Sequence, residues 1–577
     1  METSREKDAP PNRGVQPQSP LTSSQEHVVE AQQQKETRKL TGVKVRFGES
    51  VVPLRWFLFN LSTLTAIFLY ALDNTVVANI QPVIVNQFNA VDELPWLSVG
   101  FMIGGLALVM PLGKLYAFYD GKWLFFFFAV NFMAASALCG AAPNMPAEIV
   151  GRAWAGAGGN GMYYGLLNLV TVNTLERERP TYLSLTGMVW GFGTILGPVV
   201  GGAFELVSWR WAFYINLFFG IFILPAYVFL IPSSQPAPEV SAKGKIASFD
   251  FVGVVFSAGF LVTFMVATNF GGVLFSWNSP TLIILYAISA ILLFGFVLQQ
   301  VFSIFVKDEN RLFPVHLLRN KEVVLLFILI ACGGTMAYVS VYYIPLYFQF
   351  TRGDSAIQTA QRILPLVFLL IFGMLSNGYL MSKFGYYKPW YVFGSAVGLV
   401  GAVLMSKLSL PSVRVILGLT PCQGRIQIDT SNAAIYGYQA MLGLGAGCFV
   451  HAGFAAVQAN LEPKDRTHGV TLMTLGQLSG LAFGLSMTGA IFINLAQRNL
   501  AEAFPEIDKK TLVSIVSGTS GSFMSNLNPS DRDRALTAIV EALQKVFMQV
   551  YVAAALAFVV SILLKWKKTF TVAAGGA

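Results

Sequence analysis

The sequence predicts an all-α polytopic membrane protein of fourteen transmembrane helices, two six-helix halves with two linker helices between them. Three observations predict it. Of 577 residues, 54% are apolar and only 12% are charged, about half the charged share of an average soluble protein. Apolar runs long enough to cross a bilayer, at ~20 residues per crossing, recur along the chain. Lys and Arg collect in alternate connecting loops. A soluble globule of this length needs more charge to cover its surface, so the composition excludes a soluble enzyme, a nucleic-acid reader and a disordered scaffold.

Residues 1–52 are rich in Gln, Ser, Pro and charge and are read as a disordered cytosolic tail. The first apolar run starts near Leu54, so no cleavable signal peptide is expected. Runs then follow at 54–78, 94–112, 122–142, 147–171, 181–203, 211–231, 250–270, 280–302, 323–348, 358–381, 389–407, 434–459, 469–495 and 547–565, spans 1 to 14 below. Lipid offers backbone groups no partner, so each run is predicted to be a helix.

Basic residues set the orientation. With the N-terminus in the cytosol, the inner loops carry Lys114 and Lys122; Arg177 and Arg179; Lys243 and Lys245; Lys307, Arg311, Arg319 and Lys321; Lys383 and Lys388; Lys464 and Arg466. The short outer loops hold only Arg210, Arg352, Arg414 and Arg425. This asymmetry requires an even number of spans with both ends inside. It also explains the net charge of +9 without nucleic acid. An internal echo, GKLYAFYDGK from Gly113 and GYLMSKFGYYK from Gly378, follows spans 2 and 10. Two parallel halves with spans 7 and 8 inserted between them give that offset. The expected layout is a six-helix half at 53–232, linker helices at 249–303, a second half at 322–566 with a long outer loop at 496–546, and a cytosolic tail at 567–577.

Charge inside a span is costly and points to function. Asp73 lies ~27 Å beyond Arg55 at helical rise, in the outer third of span 1. Arg152 sits at similar depth in span 4, so the two can meet across the bundle. The functional reading makes Asp73 the group that binds and releases a proton as Arg152 and water approach or withdraw; the alternative is a static ion pair or a residue at the water boundary. In GFGTILGPVVGGAF, Gly193, Gly197 and Gly201 recur every four residues beside Pro198 and Gly202, a smooth face for close helix approach. Asn160, Tyr163, Tyr164, Trp190, Tyr338, Tyr342 and Tyr343 are candidate cavity groups, although any single aromatic is also explained by lipid contact. His451 in span 12 is either a packed neutral group or a proton relay. No phosphate-binding loop, metal-ligand cluster or disulfide framework is present in the four Cys and four His, so no metal and no cofactor is expected.

These residues together resemble the major facilitator superfamily, specifically its fourteen-span fungal drug:proton antiporters. LDNTVVANIQP (Leu72 to Pro82) looks like the span 1 motif, and Arg152 with Gly156 the span 4 R-x-x-x-G pattern. Gly193, Gly197, Pro198, Gly201 and Gly202 match the antiporter signature, and SWRWAFYINLFFG (Ser208 to Gly220) the approach to span 6. YYIPLYFQFTRGDSAIQTAQRILP (Tyr342 to Pro365) is similar to the span 9–10 segment. The chain departs from the pattern at Ala117 and Phe118, where an acid and an arginine are usual, leaving Gly113, Asp120 and Lys122 as the inner-loop gate. Ala155 and Phe218 replace a usual Gln and Pro.

The resemblance implies the major facilitator fold and alternating access. It implies efflux of an amphipathic organic compound such as a toxin or drug, driven by protons, from a monomer in the plasma membrane or, alternatively, a vacuolar or vesicular one. The partners are then a small-molecule substrate, protons and the lipid bilayer. A facilitator or importer on the same fold, for example for a siderophore, remains the nearest rival. A membrane acyltransferase would need a catalytic His–acid cluster at one membrane face. A transport-dead sensor would need a soluble signalling domain. One segment fits nothing: Pro411 to Ile428 lengthens the loop between spans 11 and 12. Val413–Arg414, Leu419–Thr420 and Gln427 can be encoded as intron-like donor, branch and acceptor sequences, so a retained intron is a hypothesis that sequencing the mature transcript decides.

Overall fold

The computed structural model describes residues 52–90, 93–205, 207–233, 235–236, 240–272, 274–406, 431–507, 512 and 527–569. The tail 1–52 except its last residue, the segment 411–428, the middle of loop 496–546 and the tail beyond 569 lie outside them. The body Phe57–Ala577 forms one unit.

Each apolar run is a helix: spans 1 to 14 occupy Val52–Gln87, Leu94–Phe118, Gly121–Ala141, Met145–Asn173, Arg179–Glu205, Trp211–Leu230, Phe251–Phe270, Pro280–Phe302, Lys321–Arg352, Leu364–Phe384, Lys388–Met405, Asn432–Ala459, Arg466–Ala503 and Pro529–Leu563. Among the described residues, thirteen helices are both long and apolar enough to cross a membrane. The helix that falls short is span 4. At 29 residues it is long enough, but it carries Glu148, Arg152, Asn160 and Asn168 among its glycines. Span 4 falls short because glycines and polar groups interrupt its apolar run, and its neighbours, not lipid, must satisfy those polar groups.

Several boundaries move from their expected places. Helices 1, 9, 13 and 14 run past their apolar stretches, because a helix continues while each carbonyl finds an amide, whatever the side chain. Helix 14 starts at Pro529, capped by Asn528, instead of near 547. Span 10 starts at Leu364, beyond a short helix Ala356–Arg362 that Ser355 and Gln358 begin as a capping box. Pro365 enters span 10 in its first turn, where its missing amide costs nothing. Span 12 divides into Asn432–Gly447 and Ala452–Ala459. Gly353 and Gly385 end spans 9 and 10 with φ of 65° and 82°, left-handed positions suited to glycine.

Packing places span 4 against spans 2 and 3, and span 3 against span 6; span 9 packs on spans 13 and 14, and span 11 on spans 12 and 14. Across the seam, span 5 lies on span 10 and span 2 on span 13, while linker span 7 touches both spans 2 and 13. An apolar cluster that includes Leu106, Met110, Leu261, Met265, Phe296 and Leu475 fills that junction.

At the ends that the basic loops assign to the cytosol, spans 1–6 are bonded to spans 9–14. The Tyr164 and Thr471 hydroxyls are 2.8 Å apart, Thr181 and Ser382 likewise, and Gln458 Nε2 donates to Thr171 Oγ1 at 3.2 Å. Arg466 pairs with Glu176. A Cβ on Gly113 would overlap Thr471, so span 2 meets span 13 there only because the residue is glycine.

Candidate ion-coupling site and central cavity

Asp73 and Arg152 are each 1% exposed and form an ion pair, Arg152 Nη1 to Asp73 Oδ2. Asn216 Nδ2 of span 6 donates to Asp73 Oδ1 at 3.0 Å and to Ser136 Oγ at 3.1 Å. Arg152 Nε donates to the Leu97 carbonyl at 3.3 Å, and its guanidinium lies 4.3 Å from the centre of the Phe101 ring. Both Asp73 oxygens are therefore partnered, as a buried ion pair requires if it is not to destabilise the fold. In this conformation the carboxylate is clamped and buried. Towards the outside it is covered by an apolar cluster including Val76, Ile80, Leu97, Met145, Trp209 and Phe213.

The local sequence builds this geometry. Asn144 caps span 4 by accepting from Ala147 N at 3.0 Å, and Pro146 fits its first turn. Glu148 and Arg152 then follow one turn apart on one face. A Cβ on Gly156 would overlap the Phe101 carbonyl, on Gly158 the Phe132 backbone and on Gly159 the Tyr70 ring, so these glycines let spans 1, 2 and 3 close around the charges.

The span 5 glycines divide by partner. Gly193 faces Ala71 and Leu72, Gly197 faces Thr75, and Thr75 Oγ1 donates to the Gly193 carbonyl at 3.2 Å. That face therefore seats the stretch of span 1 bearing Asp73, within one bundle. The close contacts of span 5 across the seam come instead at Gly187, against Met374 and His451, and at Gly191, against Ile371 and Val367. Gly201 is buried, and a Cβ on Gly202 would meet only Ile357, at 3.9 Å.

On the cytosolic side of this layer a small cavity of about 30 Å³ lies between the bundles, lined by Tyr70, Asn74, Phe101, Trp190, Leu478 and Leu481 among others. A drug-sized ligand needs ~300–1,000 Å³, so this is a contracted state. Phe101 contacts the guanidinium and also lines the cavity, which puts one ring between ion pair and cavity. Tyr70 and Tyr163 pack edge-on to Trp190 at 5.4 and 5.8 Å, and Tyr338 does so at 6.1 Å.

The other expected residues are spread out. Asn160 Nδ2 donates to the Gly105 carbonyl at 2.7 Å and ties span 4 to span 2 behind the cavity. Tyr164 belongs to the cytosolic clamp. Tyr342 is 55% exposed and does not line this cavity. Asp120 caps span 3 through Lys122 N at 2.9 Å and accepts from Ser233, whereas the Lys122 ammonium lies over Trp123. His451 is buried where span 12 breaks, against span 5. Sequence reasoning missed Glu148, Tyr70, Asn74, Phe101 and Asn216. Helical spacing from Arg152 and Asp73 would have found the first two. Nothing in the sequence signals Asn216. Among the described residues no group of three His, Cys, Asp or Glu could hold a metal.

The Major Facilitator Superfamily family model matches residues 63–307. The chain is 47% identical over 523 residues to the "Phomenoic acid biosynthesis cluster MFS-type transporter" of Leptosphaeria maculans, covering 90% of this chain and 83% of that protein. It is 40% identical to the efflux pump patC of Aspergillus clavatus, covering 90% and 92%, and 36% identical to the efflux pump alnA of Emericella nidulans, covering 91% and 92%. A bacterial homologue of the human lysosomal transporter Spinster, solved by crystallography, shares the fold at a TM-score of 0.52 and 15% identity, covering 88% of this chain and 97% of that one.

Proposed function

We propose that this chain, which belongs to the major facilitator superfamily, is a proton-coupled antiporter that exports an amphipathic organic compound. Membership makes it a multi-pass membrane transporter and not an enzyme, and its relatives include fungal efflux pumps. The single observation that carries the coupling is the buried Asp73–Arg152 pair one aromatic ring from the cavity. With the cytosolic ends bonded together, the cavity is poised to open outward. A proton arriving from outside neutralises Asp73, which frees Arg152 and loosens the packing of span 4. The bundles then tilt, the cytosolic bonds part, and substrate enters from the cytosol as the proton leaves. For Asp73 to be reached, the apolar cluster above it has to separate in the outward-open state.

Aromatic walls with few polar groups favour a flat, amphipathic cargo. The name of the Leptosphaeria relative points to the product of a biosynthetic gene cluster as the cargo type, and export places the protein in the plasma membrane, acting as a monomer. The test is reconstitution in vesicles carrying an internal pH dye and an imposed pH gradient, with phomenoic acid as the first probe. Asp73→Asn is expected to insert normally and to lose gradient-driven transport. Unchanged gradient-driven flux in this variant would falsify the role of Asp73. Flux that survives an uncoupler in the natural protein would favour the facilitator reading.

A further inference from the structure

Glu148 is a buried acid that this scheme leaves unused. It is 0% exposed, in the first turn of span 4, one turn closer to the outside than Arg152. Neither carboxyl oxygen meets hydrogen-bond geometry with any described residue. The groups that face it are Arg152 on its own helix, Asp73 from span 1, the Cys139 thiol from span 3 and Arg210 from the loop before span 6. A thiol is a weak donor. Both cations are committed elsewhere: Arg152 donates to Asp73 and the Leu97 carbonyl, and Arg210 Nη1 donates to the Gly140 and Ala142 carbonyls at 2.7 and 3.1 Å. Met145, Cys139, Leu97 and Phe213 make the surroundings apolar. A carboxylate left charged and unpaired there is strongly disfavoured, whereas a neutral carboxylic acid is tolerated.

We propose that Glu148 is a second proton-binding residue, and that one proton is shared between Glu148 and Asp73, carried by whichever of the two Arg152 does not pair. The inference rests on the coupling reading of Asp73 and Arg152. In the present conformation Asp73 is ionised and paired, and Glu148 holds the proton. In the exchanged state the O–H bond of Glu148 breaks as one forms on Asp73, directly or through a water. The guanidinium moves by one helical turn to the new carboxylate. The three groups sum to zero charge in both states, so the exchange does not leave net charge in the membrane interior. Glu148, nearer the outside, is then where a proton from that side arrives first.

The test reads protonation without needing cargo: the infrared carbonyl band of buried, protonated carboxylic acids in the full-length protein in lipid at neutral pH, compared with Glu148→Gln and Asp73→Asn. The expected result is loss of one such band in Glu148→Gln. Its loss is also expected in Asp73→Asn, because Arg152 then turns to Glu148 and ionises it. A band that persists in Glu148→Gln overturns the assignment of the proton. A band lost in Glu148→Gln but kept in Asp73→Asn overturns the sharing, leaving Glu148 a fixed neutral acid. Should Glu148→Gln fail to fold, carbodiimide labelling of the natural protein decides the assignment. Peptide mapping is expected to find the adduct on Glu148, and its absence overturns the proposal. Failure of the coupling reading itself shows separately, as unchanged gradient-driven flux in Asp73→Asn.

Discussion

Spans 1–6 and spans 9–14 bury different chemistry. The first bundle encloses Asp73, Arg152 and Glu148, two acids around a single guanidinium. The second keeps Asn377, Gln439, His451, Gln458 and Gln477 inside, and among the described residues its one acid buried in a span, Glu322, accepts from the Tyr387 hydroxyl at 2.6 Å near the cytosolic end. Of these, Gln477 and Gln458 reach across to Tyr163 and Thr171, and His451 lies against Gly187. Both Gln439 polar atoms, Asn377 Nδ2, Gln458 Oε1 and His451 Nδ1 lack hydrogen-bond partners among the described residues. Under the proposed scheme the contrast separates two tasks: charge in the first bundle would answer to protons, and the unpartnered amides of the second would leave donors and acceptors for a cargo. The break in span 12 at His451 fits this division, since interrupted helices line binding sites in transporters.

The largest blow to the contrast is Arg152→Ala. It strands the ionised Asp73, and breaking a buried pair costs ~3–5 kcal/mol. Thermal unfolding of the purified protein is expected to show a loss well beyond that of Gln477→Leu in the other bundle. Equal losses would erase the distinction. Next comes Gly156→Val, whose side chain overlaps the Phe101 backbone; overpacking of this kind costs ~1–3 kcal/mol. Gly437→Ala in span 12 is its control, because a Cβ there meets nothing within 4 Å and Ala favours the helix by ~1 kcal/mol.

Tyr163→Phe removes the 2.7 Å bond to Gln477 across the seam. A net ~0.5–1.5 kcal/mol is lost from the closed cytosolic side, so its population relative to the open form falls by up to about tenfold. Spin-label distances between the inner ends of spans 5 and 10 read that shift. The smallest and most selective effect is expected from His451→Gln, which alters the KM for cargo and leaves the pH dependence of proton-driven flux in place. A displaced pH profile would move His451 to the proton side of the comparison.

The sequence by itself carried the series of apolar spans, an expected orientation and the expectation that Asp73 and Arg152 can meet. Each follows from lipid acting as solvent: apolar length fixes a crossing, basic loops fix its direction, and an unpaired charge inside is too costly to leave alone. Only the tertiary structure decided which neighbour each glycine admits. Gly193 and Gly197 seat span 1, while Gly187 and Gly191 meet the other bundle, and spacing along one helix carries no information about what faces it. It likewise decided that Asn216 completes the Asp73 site and that Glu148 is sealed at the outer end of span 4, where a linear reading puts a residue at the water boundary. Burial is a property of the surrounding helices, and no window of sequence contains them.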